Sequence, residues 1–298
     1  MTTRGLQALS ISLAFAATVE AGHRGRNVSI HDGDQPRSCD DIEVEFDDRA
    51  AFRSEERMTV PAAVGRSLRI EAATDSGVHV REQDRGDFEI VVCKAAPSQD
   101  RLADIALARS GDAVTVKGPA GDDWVGYLLV AAPRKAALEI SASNGPIGLI
   151  GLSGRVVART ENGPISVQDS AGDLDLEAQN GPIDFHGAGG HSKLRTQNGP
   201  IGVSLSGSAW AGDGLDARAV NGPVSLAIPA GYRSGTLVES RGHSPFQCRG
   251  RACAGARKTW DDDHRRIELG DGPALVRLST ENGPVSVRTG TDALADED

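Results

Sequence analysis

The chain is poor in aromatic residues and has no apolar stretch long enough to cross a bilayer. Its 298 residues include six Phe, two Tyr and three Trp, which argues against a lectin-type groove in which rings stack on sugars. The formal net charge of −10 argues against nucleic acid as a partner, because such binding needs a basic surface. The 36 glycines follow no G-X-Y period, which excludes collagen. The composition is that of a globular protein that is neither disordered nor membrane-embedded.

The first 21 residues have the pattern of a secretory signal peptide. Arg4 supplies the positive charge, residues 8–19 form an apolar segment, and small residues follow at a cleavage position before residue 22. The apolar segment is too short for a transmembrane helix, which needs about 20 residues, and no cysteine follows it to carry a lipid anchor. A buried N-terminal helix is the alternative. We therefore expect export, to the periplasm or the extracellular space.

Four cysteines, an even number, fit an oxidising compartment. Cys248 and Cys253 enclose four residues and are expected to form a local disulfide, which leaves Cys39 to pair with Cys93. A metal site is the competing interpretation, but structural zinc usually takes its ligands from Cys-x-x-Cys pairs, and the sequence has none. We predict two disulfides, no metal and no cofactor.

The dominant signal is a repeated tripeptide, Asn-Gly-Pro. The first three intervals between copies are 18 residues each, the fourth is 23 and the last is 61. A period near 20 residues is typical of architectures in which each repeat stacks on the next. The copies begin at Asn144, Asn162, Asn180, Asn198, Asn221 and Asn282.

Apolar residues alternate with polar ones on both sides of each tripeptide. In the third repeat, Leu174 and Leu176 precede the tripeptide. Ile183 and Phe185 follow it with the same spacing. A period of two residues is that of a strand rather than a helix, so each repeat predicts two strands joined at a corner.

The three residues of the tripeptide have the chemistry of a turn. Asn tolerates the left-handed backbone region, Gly adopts positive φ freely, and Pro, which lacks an amide donor, suits the start of the second strand. Stacked repeats would align the Asn side chains in a column in which each amide bonds its neighbours. Surface turns alone would also favour Asn-Gly, so both interpretations stay open.

These patterns predict an all-β fold, a single-stranded parallel β-solenoid with coils of about 18 residues. One coil cannot bury both faces of its strands, so the coils must stack to share a core. We expect residues 22–66 to form an N-terminal cap, residues 67–290 the solenoid and residues 291–298 an acidic tail.

The outward positions support the same register. Three residues before the Asn, successive repeats carry Arg159, Glu177 and Arg195, and alternating charge is expected of cross-strand neighbours. After the corner the outward residues are small, which predicts a flat face: Gly148, Ser166, Asp184 and Gly202. We expect a partner or a second copy to associate through this face or through the coil ends.

Two insertions, residues 206–214 and 233–267, interrupt the regular spacing. Insertions map to surface loops, where repeat proteins carry function. They hold the candidate binding residues, which would form a small Ca²⁺ site or a groove beside the tryptophans: Trp210, Asp213, Trp260, Asp261, Asp262 and Asp263. The alternative is a disulfide-closed surface loop whose Trp covers an edge of the core.

The sequence carries no catalytic signature. It lacks a G-x-S-x-G elbow, an H-E-x-x-H pair and a phosphate-binding loop. A glycan-active β-helix enzyme would gather charged residues in a cleft, and the available set is Asp173, Asp175, Lys193 and Arg195. Stacking already explains why these charges lie close together, so no catalytic residue is predicted.

The repeat resembles the bacterial putative-adhesin β-strand-repeat family, whose domain is also called one of unknown function. The likeness lies in residues 140–147 (ISASNGPI), in the copies of that segment and in LLVAAP at 128–133, and it covers about 68 to 287. The resemblance implies an extracytoplasmic β-solenoid and supplies no catalytic motif. Pro in place of the family's more usual acidic residue after Asn-Gly, and the cysteine-bearing insertion, indicate a subgroup.

The sequence therefore predicts an exported, non-enzymatic β-solenoid, an adhesin-like structural or interaction module of the bacterial envelope. Its partner would be an envelope protein or a glycan. A glycan-active β-helix enzyme, a polysaccharide lyase or hydrolase, is the alternative.

Overall fold

A computed structural model describes residues 28–32, 35–62, 65–241, 244–261 and 263–289. The predicted signal peptide at 1–21 and acidic tail at 291–298 lie outside these residues. Within them the fold is nearly all β, as predicted. No helix in the described ranges has the length and the hydropathy to span a bilayer.

The elements follow one another as short strands with two α-helices and one 3-10 helix. The helices are α1 (Gln99–Ala103), α2 (Arg251–Ala254) and the 3-10 helix Cys39–Asp41. The strands are β1 (Val28–Asp32), β2 (Ile42–Phe46), β3 (Arg49–Ala50), β4 (Phe52–Pro61), β5 (Leu68–Glu71), β6 (Val78–Gln83), β7 (Asp87–Ala96), β8 (Ala106–Ser110), β9 (Ala113–Lys117), β10 (Val125–Pro133), β11 (Leu138–Asn144), β12 (Ile147–Ile150), β13 (Arg155–Asn162), β14 (Ile165–Gln168), β15 (Asp173–Asn180), β16 (Ile183–Gly187), β17 (Gly189–Asn198), β18 (Ile201–Leu205), β19 (Ala211–Asn221), β20 (Val224–Ile228), β21 (Gly235–Arg241), β22 (Phe246–Arg249), β23 (Arg257–Trp260), β24 (His264–Leu269), β25 (Ala274–Asn282) and β26 (Val285–Thr289).

Each repeat contributes one strand to each of two large sheets. Sheet A has 12 strands in the order β23-β24-β21-β25-β19-β17-β15-β13-β11-β5-β9-β8 and contains the strands that precede the corners. Sheet B has 11 strands in the order β22-β26-β20-β18-β16-β14-β12-β6-β10-β7-β4 and contains those that follow. A small third sheet has the order β1-β2-β3.

The repeats pair in parallel with the same residues opposite one another. Asn144 pairs with Asn162, Asn162 with Asn180, and Asn180 with Asn198, and the column continues through Asn221 and Asn282. We call each unit of one strand in sheet A, a corner and one strand in sheet B a rung. The inward aliphatic side chains of both sheets form one buried cluster, because inward and outward residues alternate along every strand.

The order of the rungs in space differs from their order in the chain. The rung β25–β26 lies between β19–β20 and β21–β22, although it comes after both. The backbone N–H of Val285 donates to Pro245 O (2.9 Å), as that of Val224 does to Pro284 O (3.0 Å). The segment predicted as an insertion at 233–267 thus contains a divergent rung.

Both large sheets end in antiparallel pairs, unlike the uniformly parallel coil predicted for 67–290. In sheet B, β4 and β10 each pair antiparallel with β7. In sheet A, β8 pairs antiparallel with β9, and β24 with both β21 and β23. An open parallel edge would pair with other chains, and such hairpins occupy these edges. The sheets are therefore mixed and do not close, and what they establish is an all-β fold with large sheets.

The prediction of two disulfides is confirmed. Cys39 bonds Cys93, with their Cα atoms 5.2 Å apart, and joins the segment before β2 to the middle of β7. Cys248 bonds Cys253, with their Cα atoms 5.7 Å apart, and joins β22 to α2. Each bond fixes a segment that lies outside the regular rungs.

The corner glycines are required by close contact and not by their backbone angle. None of the six corner asparagines has a positive φ, and among the corner glycines only Gly199 does. Instead, a Cβ at Gly181 would lie 2.0 Å from Gly163 O, and one at Gly222 would lie 1.9 Å from Gly199 O. The expected left-handed corner was wrong, because the approach of neighbouring backbones is what selects glycine here.

Replacing Gly181 by Ala should force two rungs apart. We expect Gly181→Ala to lower the free energy of unfolding by about 2–3 kcal/mol, as overpacking does in a close-packed site. Urea denaturation measures the change. Gly86→Ala is the matched control, since a Cβ there meets nothing within 4 Å. Equal stability of the two variants would contradict the contact argument.

Candidate interaction face and asparagine ladder

A column of side-chain hydrogen bonds runs along the corners, and we call it the Asn ladder. Asn162 Nδ2 donates to Asn144 Oδ1 (2.8 Å), and Asn180 Nδ2 donates to Asn162 Oδ1 (3.0 Å). The same bond recurs from Asn198 to Asn180 (2.8 Å), from Asn221 to Asn198 (3.0 Å) and from Asn282 to Asn221 (3.0 Å). The structure thus brings all six corner residues into one continuous column.

The ladder begins at a residue that the search for repeats missed. Asn144 Nδ2 donates to Asp75 Oδ1 (2.9 Å). Val78 pairs with Ile147, so Asp75 occupies the Asn position of the rung β5–β6. Burial raises the pKa of Asp75, while the bond from Asn144 acts in the opposite direction. A search that accepted Asp for Asn three residues before an apolar alternation would have found it.

The outward column of sheet B is what we call the flat face. Its members stand opposite one another in consecutive strands, and all are small except the carboxylate and the final glutamine: Gly148, Ser166, Asp184, Gly202, Ser225, Ser286 and Gln247. The face is open from β14 onward, where Ser166, Asp184, Ser225 and Gln247 are exposed. The sequence analysis identified the first four members, and the register adds the other three.

Asp184 is the one ionisable group in this column. Its carboxylate lies against the next strand, since a Cβ at Gly202 would fall 2.5 Å from Asp184 Oδ1. The surrounding protein partly desolvates the carboxylate and raises the pKa of Asp184, although the side chain stays exposed. Together with the serine hydroxyls it offers hydrogen-bonding groups on a surface without protruding side chains. Such a surface suits a polar partner that lies flat on it.

The outward face of sheet A has the opposite character, with long charged side chains in ion pairs. Arg155 pairs with Asp173 (3.0 Å), and Asp175 pairs with Arg195 (3.3 Å). Lys193 stands opposite Asp175 in the neighbouring strand. The four residues considered for a glycan-active enzyme therefore lie on an open sheet face, where ion pairing explains their proximity.

The two candidate tryptophans have different surroundings. Trp210 is 5% exposed and packs against Phe185, with ring centroids 6.0 Å apart. Trp260 is 48% exposed, edge-on to Phe246 at 5.3 Å, with the Arg265 guanidinium 5.5 Å from its ring centroid. Trp210 thus covers part of the core, and Trp260 is the candidate that a partner can reach.

The acidic run beside Trp260 is arranged as a turn. Asp261 Oδ1 accepts the backbone N–H groups of His264 and Asp263 (3.0 Å to the latter), and these bonds lower the pKa of Asp261. Asp262 lies outside the described residues, and Asp213 is exposed on β19. Across the described ranges, no three His, Cys, Asp or Glu side chains are grouped to hold a metal ion.

The N-terminal segment covers one end of the flat face. Ile42, Val44 and Phe46 of β2 form a second apolar cluster with the outward residues Tyr127 and Leu129 of β10. The Cys39–Cys93 disulfide holds this small sheet in place. The segment expected to cap the coil therefore lies partly over the face of sheet B, while β4 follows that sheet's edge.

A buried histidine lies beside this cover. His79 is 7% exposed, its ring stacks on Tyr127 with centroids 5.8 Å apart, and Gly148 leaves room for it because a Cβ there would be 2.5 Å from the ring. The Tyr127 hydroxyl donates to the Asp32 carboxylate. Burial lowers the pKa of His79 to about 4, and the nearby Asp32 opposes this shift in part.

Comparison with known proteins gives a fold-level likeness only. No protein-family model and no curated protein matches the chain. Three solved structures are similar: a putative cell adhesion protein from Clostridium sporogenes (9% identity, 80% of this chain and 99% of that chain, TM-score 0.33), a putative adhesin from Bacteroides fragilis (11%, 80% and 97%, 0.35) and a putative lipid binding protein from Parabacteroides distasonis (9%, 78% and 96%, 0.31). We base the inferences below on this chain's own residues.

Removing one amide from the middle of the Asn ladder should weaken the stack measurably. Asn180→Ala loses the bonds to Asn162 and Asn198, and we expect a loss of about 1–2 kcal/mol in unfolding free energy, since each such bond contributes about 0.5–1.5 kcal/mol net. Urea denaturation checks this against Gln179→Ala, the exposed neighbour on the same strand. If both variants lose the same amount, the ladder has no stabilising role.

His79 should make stability depend on pH below neutrality. Its pKa is about 4 when folded and about 6.5 when unfolded, so the unfolded chain binds more protons between these values. Stability should therefore fall as pH drops from 6.5 to 4 and level off below that, by on the order of 3 kcal/mol.

The measurement is the unfolding free energy at pH 7, 5.5 and 4.5 for three proteins. Relative to the native chain, His79→Phe keeps a ring on Tyr127 and should show a shallower fall. His191→Gln changes a histidine that is not buried and should keep the native slope. A native slope in His79→Phe would refute the assignment to His79.

Proposed function

We propose that the chain is an exported, non-enzymatic interaction module of the bacterial envelope and that the flat face is its binding surface. The observation that carries the proposal is the flat face itself, a column of small polar residues along seven strands of sheet B. The charged face of sheet A lacks such a surface, because its outward side chains are long and paired with one another.

We further propose that the rungs wind as a β-solenoid. Successive rungs alternate between sheets A and B, enclose one apolar core and keep the same register from Asn144 to Asn282. Residues 67–290 would form the solenoid, and residues 22–66 its cap and partial cover. Such an architecture gives the flat face its straightness, since each rung places the same kind of residue above the last.

The partner we propose is an envelope protein or a glycan. The flat face offers hydroxyls and one carboxylate, which suit the hydrogen-bonding groups of a peptide strand or a sugar chain. Two disulfides are typical of proteins outside the cytoplasm, and the signal-peptide pattern of residues 1–21 points the same way. Trp260, exposed at the far end of sheet A, is a further candidate contact.

A co-sedimentation experiment with bacterial envelope fragments tests the proposal. The native chain should sediment with the fragments, and a double variant with arginines on the flat face, Ser166→Arg with Ser225→Arg, should stay in solution. The matched control places the same two charges on the outward face of sheet A, through Ser141→Arg with Gln179→Arg, and should sediment like the native chain. All four positions are exposed.

The same experiment separates the possible partners. Fragments digested with protease would lose binding to a protein partner and keep binding to a glycan. If the face variant binds as well as the control, or no form binds, the flat face is not the binding surface. New reducing or unsaturated sugar ends in the supernatant would favour the glycan-active enzyme instead.

A further inference from the structure

The last rung occupies an interior position although it is the final one in the chain. Strand β25 lies between β19 and β21 in sheet A, and β26 lies between β20 and β22 in sheet B. The chain therefore builds both walls of this slot before the rung that fills it. Residues 274–289 must enter between strands that are already part of the protein.

The contacts of this rung are complete on the side of the fifth repeat. Asn282 Nδ2 donates to Asn221 Oδ1 (3.0 Å), and Thr280 Oγ1 donates to Gly222 O (2.8 Å). Glu281 accepts a charged hydrogen bond from Arg218. A Cβ at Gly283 would lie 2.1 Å from Gly222 O, so the two corners are in close contact.

The other side is paired as well. The backbone N–H of Val285 donates to Pro245 O (2.9 Å), and Phe246, in β22, stands opposite Val285. Arg241 in β21 lies 3.9 Å from Glu281. The buried residues Val276, Leu278 and Val287 complete the shared core between the two walls. The rung therefore fits its slot on both sides.

A short glycine-containing connection leads into the slot. Residues 270–273 (Gly-Asp-Gly-Pro) join β24 to β25, with φ of 77° at Gly270 and 92° at Gly272. The connection crosses the end of β21, where a Cβ at Gly235 would lie 2.7 Å from Pro273 O. Asp271, Gly272 and Pro273 are exposed. This segment is the one part of the chain that must change course for the rung to leave its own slot.

We propose that the last rung, residues 274–289, exchanges between two copies of this chain and joins them as a dimer. In the exchanged form, the rung of each copy fills the slot between β19–β20 and β21–β22 of the other. Every contact within the slot is the same in both forms, so their free energies differ mainly through the connection at 270–273. The occupant is a second copy because the slot matches this rung residue by residue. The proposal does not depend on the proposed function.

A disulfide trap tests the exchange. Arg218 and Ser279 are partners across the slot, so Arg218→Cys and Ser279→Cys are made as two separate single variants. The two proteins are unfolded together in urea with their native disulfides intact, and then refolded at high concentration. Exchange places the two new cysteines side by side in different chains and should give a disulfide-linked heterodimer.

The matched control uses the same outward column in consecutive rungs. Glu177 and Arg195 are partners between β15 and β17, and these strands do not belong to a terminal rung. Mixed Glu177→Cys and Arg195→Cys proteins report disulfides formed by collision alone. We expect several-fold more heterodimer from the first pair, and equal yields from both pairs would overturn the proposal.

Variants of the connection give a second readout that needs no new cysteine. Inserting Gly-Ser-Gly-Ser between Gly272 and Pro273 relaxes the crossing over β21 and should lower the dimer fraction seen by light scattering. Gly235→Val obstructs the crossing and should raise it. A chain that stays monomeric in all forms, at every concentration and after refolding, would also overturn the proposal, even if the cysteine variants fail to fold.

Discussion

The close approach of backbones at the corners is the constraint on which the rest of the structure depends. Gly181 would collide with Gly163 if it carried a Cβ, so the spacing between rungs is set where the chain turns. With the corners stacked, the strands on either side have only one register available, and every inward aliphatic side chain meets its counterpart. The Asn ladder adds a directional bond to each of these contacts. Stability and straightness come from the same few atoms.

The flat face is a consequence of this stacking and not of a separate design. Once the register is fixed, the character of a surface is decided by one position per repeat. In sheet B that position holds Ser166, Ser225 and their small neighbours, and in sheet A it holds arginines and carboxylates. The N-terminal sheet then covers one end of the flat face through apolar contacts to Tyr127 and Leu129. Open and covered surfaces are thereby parts of one continuous sheet.

The regular rungs could be predicted from the sequence because their signal is local. Alternation around each Asn gives the strands, and the equal spacing gives the register. The irregular parts could not, since they depend on contacts far apart in the chain: Asp75 enters the Asn ladder across 69 residues, and β25 enters its slot after a detour of more than 50. The role of the corner glycine was misjudged for a related reason, because the clash that selects it involves another repeat. The Asp261 turn shows the same limit, since its carboxylate is used by the backbone.

The Asn ladder has a direction, and one residue fixes it. An ionised carboxylate accepts hydrogen bonds but cannot donate them, so Asn144 must present Nδ2 to Asp75. That choice turns Oδ1 of Asn144 toward Asn162, and the same orientation is passed on to Asn282. With strands about 4.8 Å apart, a single charge thus sets which way six amide groups point over roughly 30 Å, and their dipoles add along the axis.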